Sequence, residues 1–88
     1  MNKLNVTISS PDGTFFDGEA VSLSVRGADG DLAILAGHTP FVTSVKAGEC
    51  VILTDDDELD LRVGTGLLTV DGKSAVLLTE SVTTEGNF

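Results

Sequence analysis

Apolar and polar residues alternate with a period of two along most of this chain. Leu4-Asn5-Val6-Thr7-Ile8-Ser9 is the first instance, and it places Leu4, Val6 and Ile8 on one face of a half-buried strand. Ala20 to Arg26 repeats the pattern, with Val21, Leu23 and Val25 inward and Ser22, Ser24 and Arg26 outward. Glu49 to Leu53 predicts a strand that includes Cys50, and Leu59, Leu61 and Val63 share a face in the next one. Thr14 to Glu19 reads as a short strand kinked at Asp17-Gly18, and Gly64-Thr65-Gly66 as a bend or bulge. Ser10-Pro11-Asp12-Gly13 is a turn, and Leu67–Val70 with Ser74–Thr79 forms a hairpin around Asp71-Gly72, a favoured type I′ pair. No dozen residues carry apolar positions at i, i+3, i+4 and i+7. The pattern therefore predicts an all-β chain of about nine short strands with essentially no helix, arranged as an antiparallel sandwich or flattened barrel.

One stretch departs from plain alternation. Gly27 to Gly48 holds four of the ten glycines, the single histidine and one of the two prolines. Gly27-Ala28-Asp29-Gly30 predicts a loop, Asp31 to Leu35 a short strand, Ala36 to Pro40 a second loop and Phe41 to Val45 another strand. Thr39, preceding a proline, is held extended, which blocks a helix there. Residues 1–80 are expected to form one sandwich domain, and 81–88 a loose polar tail.

Composition narrows the function. The 88 residues make one small domain, which buries roughly 60–65% of its unfolded surface. The formal net charge is −9, with only five Lys and Arg, which disfavours nucleic acid and anionic membrane surfaces. An acidic surface suits a basic protein partner, or solubility alone. The lone Cys50 allows no intrachain disulfide, and its neighbours Val51 and Ile52 make it a buried, inert thiol. No apolar run approaches the ~20 residues needed to span a bilayer.

Candidate chemistry is thin. Asp55-Asp56-Asp57-Glu58, with Asp60, could hold calcium, but the EF-hand spacing is absent and a charged hairpin tip is ordinarily a solvated turn. His38 has no second histidine or neighbouring cysteine, so a surface or interface contact outweighs a ligand or a general base. Gly27, Gly30 and Gly37 lack the Lys-Ser/Thr pair and the helix of a phosphate loop. Ser9 and Ser10 could enter a triad only through His38. The residues thus define a binding or structural module, with a calcium- or ligand-binding sandwich as the alternative. A sugar-binding sandwich is disfavoured because the chain has no Trp or Tyr to stack on a ligand.

The run Val25-Arg26-Gly27-Ala28-Asp29-Gly30-Asp31-Leu32-Ala33-Ile34-Leu35-Ala36-Gly37-His38-Thr39-Pro40-Phe41, followed by Thr43, Val45 and Gly48, resembles the sandwich domain of the epsilon subunit of F-type ATP synthase. The flanks agree: Leu4 to Ser10 with Pro11-Asp12-Gly13, Phe16-x-Gly18-Glu19-Ala20, and Val63 to Val70 with Lys73 to Thr79. Ala33, Ala36 and Leu67 depart from the usual glycine, proline and aromatic. The resemblance implies two roughly five-stranded sheets and a non-catalytic rotor subunit at the cytoplasmic face of the inner (plasma) membrane. Its partners would be gamma and the c-ring, with no cofactor, no metal, no nucleotide and no lipid insertion. By position, Asp31, where the first loop passes into the short strand, would contact the c-ring, and Ser10, His38, Thr39, Pro40 and Phe41 would lie at the gamma and ring junction. Most members carry a helical hairpin after the sandwich. Only nine residues follow Thr79, so the resemblance implies a short form without that hairpin, or a domain fragment.

Overall fold

The computed structural model describes residues 3–37 and 39–84. It contains ten strands: β1 (Leu4–Ser10), β2 (Gly13–Ala20), β3 (Ser22–Gly27), β4 (Gly30–Leu35), β5 (Phe41–Val45), β6 (Gly48–Leu53), β7 (Glu58–Val63), β8 (Gly66–Val70), β9 (Ser74–Thr79) and β10 (Val82–Thr84). Among the described residues there is no helix. Pairing groups the strands into two five-stranded layers. The first runs β4-β3-β6-β7-β10 and the second β5-β8-β9-β1-β2. They join where β3 meets β5 at the single pair Gly27↔Val45, flanked by Ala28 N–H donating to Ser44 O (3.1 Å) and Lys46 N–H to Arg26 O (2.8 Å).

Alternation sets which side chains fill the space between the layers. Leu4, Val6 and Ile8 of β1 are fully buried, as are Leu23, Ile34, Cys50, Ile52, Leu68, Ala75 and Leu77. Burial of each large aliphatic side chain contributes ~1.5–3 kcal/mol, so this layer supplies most of the favourable free energy of a domain this small. Val21 and Leu59, expected inward, are half-buried instead. Val21 sits in the bend between β2 and β3, where its N–H donates to Leu53 O at 2.6 Å, and Leu59 packs against the margin of the core.

Four local expectations need correction. The irregularity of β2 is at Phe15, where the register passes from Ile8↔Phe16 to Ser9↔Thr14, and not at Asp17-Gly18, through which the ladder runs unbroken. The ring of Phe16 lies over Gly18, close enough that a Cβ there would meet Phe16 Cζ at 3.5 Å. The β8–β9 hairpin turns on Gly72-Lys73 and not on Asp71-Gly72: Asp71 N–H donates to Ser74 O at 3.0 Å, and only Gly72 has positive φ (93°). A type I′ turn needs positive φ at both central residues, so the turn is of the kind with glycine at its first central position. One neighbouring pair is parallel, β1 with β9, because β1 inserts between β2 and β9. Finally, Val82–Thr84, placed in the expected loose tail, form β10 and pair with β7 through Val82↔Val63 and Thr84↔Leu61. Residues 85–88 lie outside the described ones.

Two of the places where the chain changes layer lie side by side. Residues 64–65 carry it from β7 to β8, and residues 80–81 carry it back from β9 to β10. The two crossings hydrogen-bond to each other, Gly64 N–H to Ser81 O (3.0 Å) and Glu80 N–H to Thr65 O (3.1 Å). This closes the sandwich at one end and leaves its backbone polar groups paired there.

Candidate interaction surfaces

The registers divide the candidate residues between two opposite ends. One end holds the β1–β2 turn, the β3–β4 turn, the Lys46-Ala47 turn and the two crossings. The other holds the start of β1, Ala36-Gly37 with Thr39-Pro40, the Thr54–Asp57 turn and the β8–β9 turn. Strands of five or six residues separate them by roughly 15–20 Å.

Asp31 and Ser10 lie at the first end, on different layers. Asp31 belongs to β4 and pairs across the ladder with Arg26 of β3, so it is a strand residue on the outer face of its layer. The pairing of β3 with β6 stops at Ser24↔Val51, because β3 then turns to β5. The strands splay, and an open groove of about 350 Å³ forms, lined by Arg26, Asp31, Ala33, Glu49 and Val51 among others. Arg26 shares this groove with the carboxylates Asp31 and Glu49. Ser10 ends β1, and its Oγ accepts from Asp12 N–H at 3.3 Å, which braces the turn at Pro11.

Thr39, Pro40 and Phe41 lie at the opposite end; His38 lies outside the described residues. Gly37 N–H donates to Gly72 O at 2.7 Å and ties this loop to the β8–β9 turn. Thr39 and Pro40 are exposed, whereas Phe41 is half-buried, packs against the core and opens β5 opposite Val70. The six residues proposed from the sequence are thus not one site: two stand at one end and the described remainder at the other.

The acidic turn is also at the second end. Thr54 Oγ1 accepts from Asp57 N–H at 2.9 Å and closes it. Asp55 is bonded to Lys3, and that hydrogen bond and charge raise the Lys3 pKa. A hydrogen bond with Asp60, together with its charge, raises the Glu58 pKa. Among the described residues no three His, Cys, Asp or Glu converge as metal ligands. Asp71 accepts from Lys73 N–H (3.1 Å), Ser74 N–H (2.8 Å) and Ser74 Oγ (2.9 Å), and these bonds hold its carboxyl below the usual range.

A further surface escaped the reading by sequence. β1, β5, β8 and β9 contain no charged residue, in a chain with nineteen. On their outer face Leu67 and Leu78 are directly paired and 44% and 54% exposed, with Val42 60% exposed nearby. The signal was available in Leu67-Leu68 and Val76-Leu77-Leu78: consecutive apolar residues in a strand put apolar side chains on both faces.

A two-layer all-β sandwich, with four adjacent strands free of charge in one layer and candidate residues in turns and an edge strand, defines an interaction module. The chain belongs to the family described as the ATP synthase delta/epsilon chain, β-sandwich domain, whose model matches residues 3–85. It is 32% identical over 81 residues to the ATP synthase epsilon chain of Sulfurimonas denitrificans, covering 91% of this chain and 62% of that one. It is 35% identical over 77 residues to that of Thermotoga petrophila, covering 88% and 71%, and 37% identical over 76 residues to that of Chlorobium limicola, covering 85% and 86%. In fold it is similar to a chain in a Euglena gracilis mitochondrial ATP synthase structure of OSCP, F1 and c-ring, with TM-score 0.89, 15% identity, and coverage of 96% of this chain and 54% of that one. A chain in the Tetrahymena thermophila mitochondrial central stalk and c-ring structure gives TM-score 0.80 at 11% identity, covering 94% and 67%. No helix among the described residues is long and apolar enough to cross a membrane.

Proposed function

We propose that this chain is a central-stalk rotor subunit of an F-type ATP synthase, linking gamma to the membrane c-ring so that ion flow is coupled to ATP synthesis. The observation that carries this reading is the segregation of its surface. The outer face of β5, β8, β9 and β1 is uncharged and partly apolar, as suits a lasting protein contact. The outer face of β4, β3 and β6 carries Asp31 and Glu49 at one end with Arg26 beside them, and this acidic excess suits a basic partner. The sandwich is proposed to be non-catalytic and peripheral at the cytoplasmic face of the inner (plasma) membrane. Asp31 is proposed to face the ring. Ser10 and Thr39–Phe41, at opposite ends of the sandwich, are proposed to reach gamma and the ring at separate places, and His38 is proposed to join the gamma and ring junction.

Reconstitution with and without this subunit tests the reading. Omission is expected to abolish stable rotor assembly and coupled synthesis; unchanged coupling would overturn the proposal. Asp31→Lys is expected to weaken association with the ring most at low salt, because screening already removes the attraction at high salt. Association that is the same for both at every salt concentration would remove Asp31 from the contact.

A further inference from the structure

β4 is hydrogen-bonded along one side only, to β3. The bonds Ala28 N–Ser44 O and Lys46 N–Arg26 O flank the pair Gly27↔Val45, so the N–H and C=O of Gly27 itself point toward Gly30. Antiparallel alternation then assigns the β3-facing groups of β4 to Gly30, Leu32 and Ile34, and turns those of Asp31, Ala33 and Leu35 to the open side. Among the described residues nothing pairs with the backbone of these three on that side.

The other strand edges are guarded. β10 has three residues, β2 carries Asp17, Glu19 and the Phe15 irregularity, and β5 is preceded by Pro40. β4 has six residues in unbroken register, one charge at its start and a Leu35 that is 54% exposed at its end. An edge without proline, bulge or inward charge is a template for another strand.

We infer that the open edge of β4 receives an added strand from a partner protein, an extended segment with a basic residue opposite Asp31 and apolar residues opposite Ala33 and Leu35. Alternate side chains of that segment would cover Leu32, which is half-buried at the margin of the core. Charge selects such a partner over a second copy: each chain carries −9, and the groove beside this edge holds Asp31 and Glu49 against the single Arg26. The inference rests on the chain working within a stalk assembly.

Amide hydrogen exchange on the full chain, alone and reconstituted with gamma and the c-ring, tests it. In the free chain the amides of Asp31, Ala33 and Leu35 are expected to exchange fast, and those of Leu32 and Ile34 slowly. In the complex the three fast amides should slow by at least about tenfold, the effect of ~1.4 kcal/mol. If the complex forms and they do not slow, the edge inference is overturned while the rotor reading stands. If no complex forms, both fall. Protection that grows with concentration of the isolated chain would make the occupant a second copy and overturn the basic partner. Ala33→Pro removes one outward N–H and leaves the ladder to β3 intact. It is expected to melt like the parent and to associate about tenfold more weakly, with Ala33→Ser unaffected. A folded Ala33→Pro that associates normally would sink the inference; an unfolded one leaves the exchange result to decide.

Discussion

The hydroxyl of Thr79 donates to the backbone carbonyl of Gly64 at 2.8 Å, and this bond joins two adjacent crossings between the layers, β7 to β8 and β9 to β10. Among the described residues Thr79 is the buried polar side chain of the core, at 5% exposure, and its oxygen also lies 3.2 Å from Thr65 O and 3.3 Å from Ser81 O. It gathers the carbonyls of both crossings around one donor, and so holds β10 in place beside β7.

Thr79→Val keeps the shape and removes that donor. The Gly64 carbonyl is then buried without this partner, so a loss of about 1–3 kcal/mol is expected in urea unfolding. Thr79→Ser is expected to retain most of the stability. A valine variant as stable as the parent would show that the crossings do not depend on this bond.

Gly66 makes the closest backbone approach in the same region. A Cβ there would collide with the Leu78 carbonyl oxygen and come within 2.9 Å of Thr79 Cα, both parts of the paired strand. Backbone cannot move aside as a flexible side chain can, so Gly66→Ala is expected to cost about 1–3 kcal/mol. Gly18→Ala meets only the edge of the Phe16 ring at 3.5 Å and should change stability by no more than about 1 kcal/mol. Thermal melts of the two variants side by side check the contrast.

Asp71 links stability to pH. Backbone N–H donation from Lys73, then from Ser74, holds its folded pKa below the ordinary value of 3.8. A depressed carboxyl contributes stability that is present above the unfolded value and is lost as pH falls through the folded one. Asp71→Asn is therefore expected to lower the urea midpoint at neutral pH, with the gap from the parent closing below about pH 4. A gap that persists unchanged in acid would refute the linkage.

Cys50 reports on opening of the core. It is fully buried, and burial pushes its thiol up to about 12. Thiolate is the reactive form, so labelling with a maleimide at neutral pH is expected to be negligible in the folded protein and fast in urea. Rapid labelling of the native chain would mean that β6 and β7 part readily.

Sequence periodicity alone determined the strands and most of their inward faces. Successive side chains in a strand point to opposite sides, so Leu4-Val6-Ile8 or Leu23-Val25 carries its burial in its spacing. Turn chemistry was legible only in part: the Asp71 to Ser74 turn was located, but its centre shifted by one residue, since three donors converge on the Asp71 carboxylate. Tertiary structure decided which strands are neighbours. Nothing local in β1 says that it lies parallel to β9, or in β3 that it leaves β6 for β5 after Ser24, because those pairings join segments far apart in sequence. The same long-range registers put Ser10 and Asp31 at one end of the sandwich and Thr39–Phe41 at the other, and left the edge of β4 open. A period of two specifies which way a side chain faces; only the pairing specifies what it faces.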